Sequence, residues 1–215
     1  MKGTTHLAIG AALGVAAGLR LQTDFETGMV WIAVSSLSAL IPDLDGPSIL
    51  SGKLSKFAKT FREVVLSSGI LLVIGLAALY HWKGYYHFPL TLLGAALTLA
   101  GFAFREGFIR NALVSGIGAG LAAWGAFHSI YWLIGLGAYV AIAPWLKHRG
   151  LTHTVWAAAV WWGISLGFEA YVGYEGIATI AVLGYLSHLM ADTLTPSGVK
   201  WLNPLVKKTF KLPFL

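Results

Sequence analysis

The segment His148–Thr154, with the sequence HRGLTHT, concentrates polar chemistry between two apolar stretches. Two histidines, one arginine and two threonines stand within seven residues. Imidazole binds divalent metals, and the arginine guanidinium binds phosphate or carboxylate through two points. The histidines are five residues apart, which does not place both on one helix face. We therefore expect Gly150 to break the backbone between them and Thr152 to cap the helix that follows.

Three other motifs carry residues of the same kinds. The motif HLMAD places His188 and Asp192 four residues apart, which puts both on one face of a helix. The motif IPDLDGP places Asp43 and Asp45 two apart, and extended backbone at that spacing would point both carboxylates the same way. The motif TTH adds His6 near the start of the chain. Taken singly, each motif also fits a helix cap or a histidine at the membrane interface.

The elements that must position these residues are membrane helices. Of 215 residues, 57% are hydrophobic and only 11% are charged, and the mean hydropathy is +0.72. A soluble domain carries about 25% charged residues, so this chain lacks the charge to cover a surface that faces water. Cysteine is absent, which excludes disulfides and thiolate metal ligands.

The apolar residues form eight runs, which predict an all-α, polytopic bundle of about eight helices in one integral membrane domain over 1–215. Helices are expected because they satisfy their own backbone hydrogen bonds in lipid. The first two runs and the last are shorter than the about 20 residues of a full span, so polar ends extend these helices or they do not cross completely. The runs are 7–21, 28–42, 64–80, 88–104, 111–127, 129–146, 154–171 and 176–191.

Basic residues predict the orientation of the bundle in a bacterial or archaeal cell membrane. If the N-terminus is cytosolic and the helices alternate, 13 of the 15 basic residues lie on the inner side, and only Arg20 and Lys83 lie outside. The positive-inside rule therefore favours cytoplasmic N- and C-termini. The net charge of +6 is explained by topology, and no separate basic patch indicates nucleic-acid binding. The basic segment 46–63 is interpreted first as a positive-inside anchor, with an amphipathic loop that lies on the membrane surface and gathers anionic substrate as the alternative.

This orientation brings four histidines and three aspartates to the inner side, although they are far apart in sequence. Nitrogen and oxygen donors without sulfur suit Zn, with Mn or Fe as alternatives. Seven donors exceed the needs of one tetrahedral ion, so two or more divalent ions are expected, as in enzymes that cleave phosphoesters. The candidate metal ligands are His6, Asp43, Asp45, His148, His153, His188 and Asp192.

Together, TTH, PDLD, HRGLTHT and HLMADTLTPSG resemble the YdjM-type (LexA-regulated) family of membrane-bound metal-dependent hydrolases. The resemblance covers the chain from His6 to about Pro204 and implies that the seven residues above bind metal. The spacing H-x-x-x-D is also distantly similar to that of zinc-dependent phospholipases C and related nucleases. This second similarity favours phosphoester chemistry without identifying a substrate.

A metal site at the inner boundary of the membrane faces lipid headgroups and cytosol together. We therefore expect hydrolysis of a phospholipid, lysophospholipid or polyprenyl phosphate. The expected partner is thus a membrane lipid, which serves as the substrate. Arg149 would stabilise charge on the phosphoryl group, and Asp45 would act as a base or as a ligand. Two alternatives stay open: an ion or solute transporter, and a membrane protein that binds metal without catalysis.

Overall fold

The computed structural model describes residues 1–46 and 48–212, and within them it is all-helical, without a β-strand. This confirms the predicted fold class and places a helix over each apolar run. The helices are α1 (Gly3–Leu21), α2 (Phe25–Ser38), α3 (Gly52–Lys83), α4 (Phe88–Ala103), α5 (Glu106–Phe127), α6 (Tyr131–Ile142), α7 (Val155–Val172) and α8 (Ile177–Thr193). Short 3₁₀ turns occupy Ile41–Asp45, Ala143–Trp145 and Leu151–His153.

Four helical segments are long and apolar enough to cross a membrane: Gly3–Leu21, Phe25–Asp45, Gly52–Lys83 and Val155–Val172. A fifth is counted if α4 and α5, which meet at a bend of 88°, form one broken span. The segment Ile177–Thr193 is shorter than a span, as expected for the last run. The first two runs reach span length because flanking residues extend their helices.

The chain forms two compact units, and the prediction of one domain over 1–215 stays a prediction. The first unit comprises 1–51 and 114–215, and in it α1, α2, α7 and α8 pack against one another. Two glycines allow this close approach. A Cβ on Gly10 of α1 would lie 2.7 Å from the carbonyl oxygen of Ser35 in α2, and a Cβ on Gly184 of α8 would lie 2.5 Å from the same atom. Small residues at such crossings let membrane helices pack backbone to backbone.

The second unit comprises 52–113 and is built mainly from α3 packed against α4. Here the expectation of an amphipathic loop over 46–63 is wrong in part, because the chain from Gly52 onward is already helical and begins the 32-residue α3. Good helix formers such as Lys56 and Lys59 continue the apolar helix that follows them, so one long helix forms instead of a separate surface segment.

Candidate metal centre

All seven predicted ligands lie in the first unit and converge at one end of it. Helix α1 supplies one, the turn Ile41–Asp45 supplies two, the connection between α6 and α7 supplies two, and α8 supplies the last two. Three overlapping groups of three residues could each hold a metal ion, because within each group the three ligand atoms lie within 4.8 Å of one another. The groups are His6, Asp43 and His188; His153, His188 and Asp192; and Asp43, Asp45 and His148. Because the groups share members, the seven residues form one connected cluster.

The centre of the cluster is formed by Nε2 of His153, Nε2 of His188, Oδ1 of Asp43 and Oδ2 of Asp192. The two imidazole nitrogens are 3.3 Å apart. His188 Nε2 lies 3.6 Å from the Asp43 oxygen and 3.8 Å from the Asp192 oxygen, and His153 Nε2 lies 3.8 Å from each. Zinc bonds of about 2.0–2.2 Å in a tetrahedron place neighbouring ligands about 3.3–3.6 Å apart. The distances among His153, His188 and Asp192 are thus close to the spacing that three ligands of one tetrahedral ion require.

Hydrogen bonds decide which nitrogen of each central histidine carries its proton. His188 Nδ1 lies 2.8 Å from the carbonyl oxygen of Ala39, which can only accept, so Nδ1 donates. The Thr152 hydroxyl donates to Asp45 at 2.5 Å and lies 3.0 Å from His153 Nδ1, from which it accepts. Both Nε2 atoms then present lone pairs to each other across 3.3 Å, in a fully buried position. A shared proton or a bound metal ion between them would relieve that repulsion, and outer hydrogen-bond partners such as Ala39 and Thr152 are typical of metal-bound histidines.

His6 supplies a further buried nitrogen beside this group. Its ring stacks on the ring of His188, with centroids 3.7 Å apart, and its Nε2 lies 3.4 Å from Asp192 Oδ1. Its Nδ1 is buried, and within the described residues it has no hydrogen-bond partner. A buried imidazole nitrogen without a partner is costly, so the atom fits a position that a ligand would satisfy. His6, which is weak evidence in the sequence alone, therefore belongs to the cluster by geometry.

Asp45 is the best connected carboxylate of the site. Its side chain is fully buried and accepts from His148 Nδ1 at 2.7 Å, from the backbone N–H of Arg149 at 3.1 Å and from the Thr152 hydroxyl. The expected extended backbone is wrong here, because Asp43 and Asp45 lie in a 3₁₀ turn. These contacts favour Asp45 as the residue that orients the histidines, while its assignment as ligand or base stays a prediction.

His148 and Asp43 form the exposed edge of the site. The His148 side chain is 56% exposed and that of Asp43 is 19%, whereas the side chains of His153 and His188 are fully buried. The hydrogen bond that His148 donates to Asp45 raises the pKa of His148 above its ordinary value. The open edge of the cluster therefore combines an imidazole with a carboxylate.

Arg149 holds the last carboxylate of the cluster in place. Its Nη2 lies 2.9 Å from Asp192 Oδ2, and its Nη1 donates to the Thr195 hydroxyl and to the Gly198 carbonyl at 3.3 Å. The α-amino group of Met1 also donates to Asp192, at 3.0 Å. Arg149 thus contacts a ligand carboxylate directly, and its predicted contact with phosphate stays a prediction.

The HRGLTHT segment turns as expected, but different residues perform the local roles. Arg149 has the left-handed φ of 57°, and a Cβ on Gly150 would approach the carbonyl oxygen of Lys147 to 2.5 Å. The prediction that Thr152 caps α7 is wrong: the cap is Thr154, whose hydroxyl accepts from the N–H of Ala157 at 3.3 Å. Thr152 is released from capping because Leu151–His153 forms a 3₁₀ turn, and its hydroxyl serves Asp45 instead.

Sequence reasoning missed Tyr185, which is fully buried beside the site. Its hydroxyl donates to the carbonyl of Thr152 and lies 2.9 Å from the hydroxyl of Tyr139. A signal was available, because Tyr185 stands three residues before His188 and therefore on the same face of α8. Tyr185 anchors the turn that carries Thr152 and His153.

The comparison with known proteins agrees with this architecture. The family model described as "YdjM inner membrane protein" matches residues 1–215, the whole chain. The chain belongs to the YdjM inner membrane protein family. A YdjM relative, "Inner membrane protein YdjM" of Escherichia coli (strain K12), is 38% identical over 77 residues, and the relative of the same name from Shigella flexneri has the same identity. The alignment covers 34% of this chain and 38% of each relative.

No solved structure matches this YdjM-family chain. The chain is thus a membrane protein of the family. The cluster of histidines and aspartates described above is a feature of this chain's own structure. Within the described residues, the three histidines outside the cluster, His81, His87 and His128, belong to no group of three possible ligands. The assignment of these two sets of histidines to opposite sides of the membrane stays a prediction.

Proposed function

We propose that this YdjM-family protein is a metal-dependent hydrolase that cleaves a phosphoester of a membrane amphiphile at the cytosolic leaflet. The candidate substrates are a phospholipid, a lysophospholipid or a polyprenyl phosphate. The observation that carries the proposal is the pair of Nε2 lone pairs of His153 and His188, 3.3 Å apart and buried between two carboxylates. Such a pair needs a proton or a metal ion between its nitrogens, and the three groups of possible ligands around it favour a metal ion.

The residues present fit a divalent cation of the zinc class. His153, His188 and Asp192 would hold one ion, and the groups that contain Asp43, with His6 and His188 or with Asp45 and His148, would hold a second. When bound, such ions lower the pKa of water and neutralise charge on phosphoryl oxygens. Zinc suits this set best because nitrogen and oxygen donors at tetrahedral spacing are its usual ligands in catalytic sites.

The protein's own residues would provide orientation and access. Asp45 and Thr152 hold His153 in the tautomer that leaves Nε2 free. Arg149, whose side chain is 22% exposed, lies where it can contact a substrate phosphate while keeping Asp192 in position. Since His148 and Asp43 form the exposed edge, substrate would approach from their side.

The cytosolic location belongs to the proposal as well. It depends on the positive-inside rule, which assigns the loops beside HRGLTHT and after α8 to the cytosol. A cysteine introduced at Lys207, an exposed position after α8, would be labelled by an impermeant thiol reagent only in inverted vesicles. The chain contains no other cysteine that could interfere.

The decisive experiment uses the purified full-length chain in detergent or nanodiscs. Metal content is measured before and after dialysis against a chelator, and phosphate release is measured on lipid phosphoesters with Zn, Mn or Fe restored. We expect activity that is lost with chelator, returns with metal and is absent from His153→Ala. Metal-driven flux into liposomes without turnover would indicate a transporter. Bound metal with neither activity would indicate a structural or sensory site, and either result would overturn the hydrolase proposal.

A further inference from the structure

An apolar groove runs between α6 and α7 in the unit that carries the cluster. It has a volume of about 480 Å³, and apart from Tyr139 and Thr152 its lining is aliphatic, glycine or tryptophan. Its walls repeat at helical spacing: Gly135, Ala138 and Ile142 on α6, and Ala157 and Ile164 on α7. The groove is therefore a regular channel between the facing surfaces of two helices and not an irregular gap.

The length of the groove suits one lipid chain within one leaflet. From Ala157 to Ile164 the helix rises by about 10 Å, at 1.5 Å per residue. The hydrocarbon part of one leaflet is about 15 Å thick, half of the about 30 Å core. Val160 and Trp156, which line the groove, are 56% and 45% exposed, so a chain could enter from the side.

A second cavity adjoins the cytosol-facing end of the groove and has the opposite character. It has a volume of about 460 Å³ and is lined by Lys147, His148, Arg149, Lys200 and Lys207 among its polar residues. All its lining residues are in the described part of the chain, and none of them is a carboxylate. This basic cavity is therefore complementary to a group that carries more than one negative charge.

The two cavities are neighbours, and the second also adjoins the cluster. Leu146 and Leu151 line both of them. In the basic cavity, His148 and Arg149 are the residues that contact Asp45 and Asp192. A molecule with a phosphate in the basic cavity and a chain in the groove would place its phosphoester beside the exposed edge of the cluster.

We infer that the site takes a lipid with an anionic phosphate headgroup, such as a lipid phosphomonoester, whose chain lies in the α6–α7 groove. The inference rests on the proposed function and sharpens its substrate class. A zwitterionic headgroup brings its own cation into a cavity that is already lined by three lysines and Arg149. Choline and ethanolamine lipids are therefore disfavoured, and a soluble phosphoester lacks the chain that fills the groove.

Binding can be tested without turnover, on chelator-treated protein in phosphatidylcholine nanodiscs. The probes are lysophosphatidic acid and lysophosphatidylcholine with the same brominated acyl chain, which quenches nearby tryptophan fluorescence. We expect lysophosphatidic acid to reach half-maximal quenching at about fivefold lower concentration, because several basic side chains face its headgroup. The excess quenching should be lost in Trp156→Phe and kept in Trp162→Phe, which changes an exposed tryptophan of α7 outside the groove. Equal quenching by both lipids would overturn the inference.

Filling the groove gives an independent test. Ala138→Phe should abolish the excess quenching, whereas Ala159→Phe, the same change at an exposed position of α7 that does not line the groove, should keep it. If Ala138→Phe is unstable, Val160→Phe fills the groove from its other wall. Excess quenching that survives both fillings would overturn the inference. Because these binding tests use metal-free protein, their outcome does not depend on catalysis. Lipid binding without turnover in the activity assay would overturn the hydrolase proposal and leave the lipid-binding inference intact.

Discussion

The two compact units each contain an interaction between charged groups, but the exposure of those groups differs. In the first unit, the Asp192 side chain is 3% exposed and the His188 side chain is fully buried. In the second unit, the Arg62–Glu106 pair spans 3.7 Å with side chains 28% and 46% exposed. This ion pair of the second unit stays partly exposed, whereas the cluster of the first unit withdraws its carboxylates and imidazoles from solvent and gathers them.

The difference in exposure separates a surface ion pair from a buried cluster whose charges need compensation. An exposed pair costs little to keep and contributes little to stability. A buried set of imidazoles and carboxylates is expensive unless every member is paired or binds a metal. His6 Nδ1 lacks a partner within the described residues, and the Nε2 atoms of His153 and His188 face each other. The first unit therefore bears a cost that a bound cation would offset.

The largest effect is expected from His188→Ala, which removes a member of two of the three ligand groups. Metal content should fall, and the rate of hydrolysis should fall by more than about 100-fold. Loss of a residue that only hydrogen-bonds to a metal ligand costs at most about that much. The matched control is His81→Ala in α3 of the second unit, which should keep both. Elemental analysis and phosphate release measure the two quantities. Unchanged metal content in His188→Ala would remove the contrast between the units.

The next effect is expected from Asp45→Asn, which preserves size but replaces an acceptor of three donors by a group that is half donor. If Asp45 orients His153 and His148, metal affinity should fall by about 10–100-fold and excess metal should restore activity. Chelator competition gives the affinity, and Asp24→Asn, at the exposed cap of α2, serves as control. If the variant binds one metal ion fewer per protein and excess metal does not restore that ion, Asp45 would instead be a metal ligand.

A smaller effect is expected from Gly184→Ala, since the added Cβ would lie 2.5 Å from the Ser35 carbonyl oxygen and push α8 from α2. Overpacking of this kind costs about 1–3 kcal/mol. Gly75→Ala in α3 has no neighbour within 4 Å, so it should be neutral or stabilising by up to about 1 kcal/mol. Thermal unfolding in detergent compares the two variants. Equal melting temperatures would show that the close α2–α8 crossing does not matter for stability.

The smallest effect is expected from Glu106→Gln, which removes the exposed partner of Arg62 in the second unit. A solvent-exposed ion pair contributes about 0–1 kcal/mol, so the melting temperature should hardly change and the metal content should not change. The same unfolding and elemental measurements apply. A loss of metal in this variant would contradict the separation of the two units by function.

Much of the helical pattern could be predicted because apolar runs in lipid have one common solution, the helix. The same-face placement of His188 and Asp192 followed from helical periodicity. The local structure of irregular segments did not follow. The turn Ile41–Asp45 and the replacement of Thr152 by Thr154 as cap depend on contacts with α8 and with Asp45.

By itself, the sequence determined that this is an all-helical membrane protein, because hydropathy acts locally along the chain, and its charges predict that the histidines and aspartates divide between the two sides. Only the tertiary structure decided that Nε2 of His153 and of His188 face each other, that Asp45 accepts from His148, Arg149 and Thr152, and that a groove meets a basic cavity at Leu146 and Leu151. These features arise where α1, α6, α7 and α8 meet, and distances between segments far apart in the chain are set by packing, which no local pattern encodes.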